Sequence, residues 1–204
     1  MIARRLAVSD FPTAPGTLGP EEPDWERSTT DRAPRPQEAA LVDLGSGGGL
    51  PGLVVACSWE EATVTLIDSS ARRAAFLELA ADRLDLHDRV SVVNARAEAC
   101  GRDERLRGSF DGVTARSFGR PAVVAECAAP LLKVGGWLLV SEPPPSSEGG
   151  PPSVRWPEAP LDQLGLVPRE EIHEEFGYQV LRQVELCGER FPRRVGVPAK
   201  RPLF

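Results

Sequence analysis

The stretch Leu41–Gly52, Leu-Val-Asp-Leu-Gly-Ser-Gly-Gly-Gly-Leu-Pro-Gly, constrains what this chain can fold into more than any other. An apolar run that breaks into glycines and resumes as Leu53, Val54, Val55 and Ala56 reads as a buried strand, a tight turn and a helix N-terminus. Glycine admits positive φ and lets a ligand approach the backbone, here at Gly45 and Gly47, while a helix start offers unpaired N–H groups to an acceptor. Pro51 suits the first helical turn, where a missing N–H costs nothing. A lone Gly-x-Gly is no more than a turn. Two acids say more: Asp43 stands two residues before the first glycine, and Asp68 ends a second apolar run, Thr63–Ile67. A carboxylate at the tip of the strand after a glycine turn holds a nucleoside ribose in nucleotide-binding α/β folds.

The chain around this turn reads as an alternation. Strands are predicted at Ala40–Leu44, Thr63–Ile67, Val90–Val93, Phe110–Ala115 and Gly136–Val140, and helices at Leu50–Cys57, Ala71–Leu84 and Ala122–Leu132. The second helix places Ala74, Leu77, Ala81 and Leu84 on one stripe behind the N-cap chemistry of Asp68, Ser69 and Ser70. Asn94–Glu98 reads as a turn. Two further strands, Leu166–Ile172 and Gln179–Leu186, predict an antiparallel finish. The expected fold is α/β: a doubly wound, Rossmann-like, mostly parallel seven-stranded sheet with a C-terminal antiparallel strand pair. The domain spans residues 39–204, behind a proline-rich, partly disordered segment at 1–38, with a proline-rich loop at 143–160 and a basic tail at 190–204.

Composition excludes several classes. With 204 residues, 41% hydrophobic and 26% charged, one globular domain is expected. No run approaches the roughly 20 apolar residues of a membrane helix and no signal-peptide core opens the chain, which predicts a cytoplasmic protein without membrane contact. Cys57, Cys100, Cys127 and Cys187 lack paired spacing and read as reduced core residues, and His87 and His173 stand far apart, so no metal site is expected. The net charge of −6 hides a tail, Arg190–Phe204, that carries five cations and no acid. An acidic body with a basic tail argues against nonspecific nucleic-acid coating but allows one local phosphate-binding patch.

These motifs, in this order, resemble those of class I S-adenosylmethionine-dependent methyltransferases. More narrowly, Val42–Gly52, Leu66-Ile67-Asp68-Ser69 with Arg72–Leu77, Ala95-Arg96-Ala97-Glu98, Phe110–Phe118 and the tail Arg190–Leu203 resemble the RsmG (glucose-inhibited division protein B) family, bacterial enzymes that methylate a guanine N7 of small-subunit ribosomal RNA. The likeness covers Leu41 to about Val140 and resumes near Leu166. The departure is at the front: family members carry a Trp-x-Arg-His-x-x-Asp-Ser-like stretch, of which Trp25–Arg32 keeps only part.

The resemblance implies S-adenosylmethionine against Gly45, Leu50, Ala97, Glu98 and Arg116, to which the strand-end logic adds Asp68, Asp43 and Gly47. The implied partner is ribosomal RNA or the small ribosomal subunit, met by a monomer, with Arg193, Arg194, Lys200 and Arg201 on the substrate. Guanine N7 is a lone-pair nucleophile with no proton to remove, so no catalytic base is expected, and alignment would supply the rate. Three other readings stay open: a nicotinamide dehydrogenase, a divergent methyltransferase of a small molecule, and a non-catalytic cofactor-binding protein.

Overall fold

The structure is a computed structural model that describes residues 39–143, 155–173 and 177–204. The proline-rich N-terminal segment and most of the expected loop at 143–160 lie outside the described residues. Seven strands, β1 (Ala40–Leu44), β2 (Thr63–Asp68), β3 (Val90–Asn94), β4 (Phe110–Ala115), β5 (Leu132–Glu142), β6 (Leu166–His173) and β7 (Gly177–Gln183), form one sheet in the order β3-β2-β1-β4-β5-β7-β6. The first five pair in parallel, and β7 runs antiparallel to both β5 and β6, as the sequence predicts.

Strand order reverses at β1, which has β2 on one side and β4 on the other. A connection leaves each side of that point over an opposite face, which opens a crevice at the C-terminal ends of β1 and β4. The helices are α1 (Gly52–Ser58), α2 (Ala71–Arg83), α3 (Ala97–Cys100), α4 (Pro121–Ala128), α5 (Glu158–Asp162) and α6 (Val197–Lys200).

Alternation along the strands builds two cores. Leu41, Val64 and Leu66 join Leu53, Val55, Ala56 and Leu77 on one face, while Val42, Leu44 and Ile67 join Val113, Ala125, Leu131, Leu138 and Phe191 on the other. Because Asp43 lies two residues from Leu41, it shares the face that α1 covers. Burying each large aliphatic side chain contributes about 1.5–3 kcal/mol, so a sheet covered on both faces is a rigid platform for whatever its strand ends carry.

Several boundaries differ from expectation for identifiable reasons. The helix expected to run to Leu132 ends at Ala128 and tightens into a 3₁₀ turn at Ala129–Leu131, since Pro130 has no N–H to continue the ladder. β5 begins at Leu132, because Leu132 already pairs with Phe110 across an irregularity that precedes Gly112. Asn94–Glu98 is not only a turn: α3 starts at Ala97. The expected loop ends early, with α5 beginning at Glu158. On α2 the stripe Ala74, Leu77 and Ala81 is buried, while Leu84, just past the helix end, is exposed. The four cysteines are unpaired, and burial pushes the Cys100 and Cys187 thiols up to about 11; Cys57, expected in the core, is exposed at the end of α1. Among the described residues no helix is long and apolar enough to cross a membrane.

Candidate functional site

The registers bring the expected residues to one sheet edge. Leu44 pairs with Ile67 and with Ala115, and Asp68 pairs with Asn94, so Gly45, Asp68, Asn94 and Arg116 leave their strands on one side of the sheet. The turn after β1 is laid over β2, with the N–H groups of Gly45 and Ser46 both donating to the Ile67 carbonyl.

Asp43 shapes this turn from beneath. Its side chain is buried; Oδ2 accepts from the Gly52 N–H at 3.2 Å and Oδ1 from the Thr114 hydroxyl at 2.8 Å, while its carbonyl accepts from the Ser46 hydroxyl. One carboxylate therefore ties β1 to β4 and to the start of α1. Burial pushes its carboxyl above the ordinary value, against the Thr114 and Gly52 hydrogen bonds and the Arg116 charge.

Asp68, also buried, holds the other side of the turn. Its Oδ2 accepts from the Gly47 N–H at 3.0 Å and its Oδ1 from the Ser70 N–H at 2.8 Å, with the exposed Arg73 guanidinium 3.4 Å away. Asn94 braces the same corner by donating to the Asp68 carbonyl at 2.9 Å. A carboxylate has about four acceptor positions, so these two backbone donors leave capacity for hydroxyl groups.

The glycines divide into two kinds. A Cβ on Gly45 would stand 2.6 Å from the Phe118 ring, and one on Gly52 would meet Leu66 and the Asp43 carboxylate. At both glycines, Gly45 of the expected cofactor residues among them, the space a side chain would take is filled by protein. Gly47 and Gly48 are different: a Cβ at Gly48 meets nothing within 4 Å, and one at Gly47 meets only the Gly45 carbonyl at 3.7 Å. Open space thus lies over Gly47 and Gly48, with the exposed Leu50 two residues on.

Sequence reasoning missed Phe118 and Ser117. Arg116 is exposed at the end of β4, and Ser117 after it takes φ +55°, which turns the chain so that Phe118 closes on Gly45. A non-glycine residue in that region costs on the order of 1–3 kcal/mol, and such outliers gather at functional sites. No local pattern announces it.

On the other rim, Ala97 and Glu98 are buried in α3. Glu98 Oε1 accepts from Arg96 at 3.2 Å and from the Gly196 N–H at 2.9 Å. Burial favours the neutral acid, but the Gly196 and Arg96 donors outweigh it and hold the carboxyl below its ordinary range.

The tail that supplies Gly196 is docked. Arg193 turns inward and meets the fully buried Glu126 of α4, its Nε and Nη2 donating at 2.8 and 2.6 Å and its backbone N–H at 2.8 Å. Arg107 donates to the carbonyls of Gly101, Cys187, Gly188 and Phe191. Phe191 is buried in the core, whereas Arg194, Lys200 and Arg201 are exposed. Of the four cations expected on the substrate, three face solvent and Arg193 is committed to Glu126.

The family model of GidB, rRNA small subunit methyltransferase G, matches residues 30–142. A ribosomal RNA small subunit methyltransferase G of Parasynechococcus marenigrum is 37% identical over 193 residues, covering 88% of this chain and 73% of the relative. The chain belongs to this family. The family's protein from Thermotoga neapolitana is likewise 37% identical over 172 residues, covering 81% of this chain and 72% of its own. A methylase candidate from Haemophilus influenzae superposes with a TM-score of 0.55 at 18% identity, covering 74% of this chain and 83% of its own. The cyclase SpnF gives 0.54 at 19% identity, over 72% and 74% of the two chains. Those two likenesses speak to the fold alone, and that a cyclase shares it places the argument for activity on the family and the site.

Proposed function

We propose that this chain transfers a methyl group from S-adenosylmethionine to guanine N7 of small-subunit ribosomal RNA, as a monomer and without a metal. The observation that carries the reading is a family match whose motif residues converge at the C-terminal edge of one sheet, around open space at Gly47 and Gly48. The residues fit the cofactor. A ribose needs acceptors, which Asp68 offers beside the Gly47 N–H; an adenine needs a slot with an acid edge, which Ala97 and Glu98 frame; the methionine end needs backbone without side chains. Leu50 and Arg116 close the rim, and Gly45 and Asp43 hold the turn in shape.

When bound, S-adenosylmethionine supplies an electrophilic methyl group on a sulfonium. The chain's own work is to bind, align and exclude water. Guanine N7 attacks through a lone pair, so no side chain has to take a proton, and alignment alone supplies roughly 7–11 kcal/mol of barrier reduction. Arg194, Lys200 and Arg201 are exposed on a docked tail, which supports a role in holding RNA phosphates; such contacts position the substrate without reading its sequence. The test is tritium transfer from labelled cofactor to small ribosomal subunits, naked ribosomal RNA and a metabolite extract. Label in RNA or subunits supports the proposal; label in the extract alone turns it into a small-molecule methyltransferase.

A further inference from the structure

We propose that the C-terminal tail is a working part of the cofactor site, locked there by Glu126 and Arg193, which act as positioning residues through Glu98; this rests on the cofactor reading above. The chain of contacts is continuous. Glu126 is fully buried on α4, and the Arg193 backbone N–H, Nε and Nη2 all donate to its carboxylate. Arg193 Nη2 also donates to the Arg201 carbonyl at 2.7 Å, which closes the segment on itself. Between those two residues Gly196 takes φ +80°, and its N–H points into the Glu98 carboxylate. Glu98 is the acid of the adenine slot.

A buried carboxylate held by one fork-shaped guanidinium is an orientation device: the two parallel hydrogen bonds fix the angle as well as the distance. A tail needing only to cover apolar surface has Phe191, Leu203 and Phe204 for that purpose. The buried charge pair adds direction, and the group it directs is the Gly196 N–H. That donor, with Arg96, keeps Glu98 charged in a place where burial alone favours the neutral acid. Arg107, in the β3–β4 connection, ties down the start of the same segment through three carbonyls, those of Cys187, Gly188 and Phe191, so the tail has two anchors with Gly196 beyond the second.

Coupling of this kind is reciprocal: a tail that favours cofactor binding is itself held more firmly when cofactor is bound. The experiment is hydrogen exchange of the full chain with and without S-adenosylhomocysteine, followed at residues 41–58 and 190–201, together with calorimetric affinities. Slowed exchange at both segments is expected. Glu126→Gln and Arg193→Gln should each weaken S-adenosylhomocysteine about fivefold or more and uncouple the two segments. Arg193→Lys, which keeps charge but not the fork, should fall between, and Arg105→Gln, at an exposed pair with Asp103, should match the parent. In turnover the Glu126 and Arg193 variants should raise KM for the cofactor more than they lower kcat, while Arg105→Gln leaves both at the parent values. Slowed exchange at 41–58 with an unchanged tail overturns the inference while leaving the cofactor site standing. No response at either segment removes the cofactor reading and this inference with it.

Discussion

Asp43 offers a sharp separation between a residue that touches the cofactor and one that builds the place where it binds. The contacts cast it as a builder: its buried carboxylate ties β1 to β4 through the Thr114 hydroxyl and to the start of α1 through the Gly52 N–H. In Asp43→Asn the amide oxygen can keep the Gly52 N–H, but the amide nitrogen then faces the Thr114 hydroxyl, which must turn to accept. The cost is one charge-assisted bond, about 1–2 kcal/mol. In Asp43→Ala both donors lose their acceptor inside the protein, each at about 1–3 kcal/mol, so a total of about 3 kcal/mol is expected. For a chain of this length roughly 2–4 °C of Tm accompanies each kcal/mol, which puts the Asn variant a few degrees and the Ala variant on the order of 10 °C below the parent. Thermal unfolding and calorimetric titration with S-adenosylmethionine on the same preparations provide the assay. Stability and affinity should fall together, Ala beyond Asn. An Ala variant that loses affinity at unchanged Tm would make Asp43 a direct ligand of the cofactor, and one that keeps both would refute the brace.

Three further outcomes follow from the same contacts. Asp68→Ala removes the acceptor assigned to the ribose and should weaken cofactor binding about tenfold or more, from a loss of about 1.5–3 kcal/mol; an unchanged Kd would leave Asp68 only its Gly47 and Ser70 N–H groups to hold. Replacing Arg194, Lys200 and Arg201 together by Gln should lower RNA affinity and flatten its salt dependence by roughly 0.7 log unit per lost contact on single strands, with cofactor affinity unmoved; a parent-like salt slope would take the tail off the RNA. Glu98 has its folded pKa below the ordinary value of 4.5, so its contribution to stability is present above that pH and is lost as pH falls through the folded value. The stability gap between the parent and Glu98→Gln should therefore hold above the ordinary carboxylate range and close only as pH falls through the lowered folded value, and a gap that does not change with acidification would contradict the assignment.

What was legible in the sequence was what is local. The glycine turn, the apolar runs of β1 and β2 with an acid at or next to each end, and the three-and-four spacing on α2 each sit within a dozen or so residues, where hydrophobic pattern and turn chemistry speak directly. The seven-stranded topology followed from their order. The inner structure of the site did not. Gly45 is a glycine because Phe118 lies against it, Glu98 meets Gly196 across 98 positions, and Glu126 meets Arg193 across 67. Nothing in a linear pattern marks which of several arginines turns inward, since a basic tail bound for phosphates and one bound for a buried glutamate have the same composition. The tail was readable as basic, but the inward turn of Arg193 required the fold.

The central claim is that this chain places a methyl group on guanine N7 of small-subunit ribosomal RNA. Its most direct test is to incubate the purified full chain with small subunits and methyl-labelled S-adenosylmethionine, digest the recovered RNA to nucleosides and separate them by chromatography. The account predicts that the label migrates with 7-methylguanosine. Label in any other nucleoside, or RNA that stays unlabelled while the cofactor binds, would contradict it.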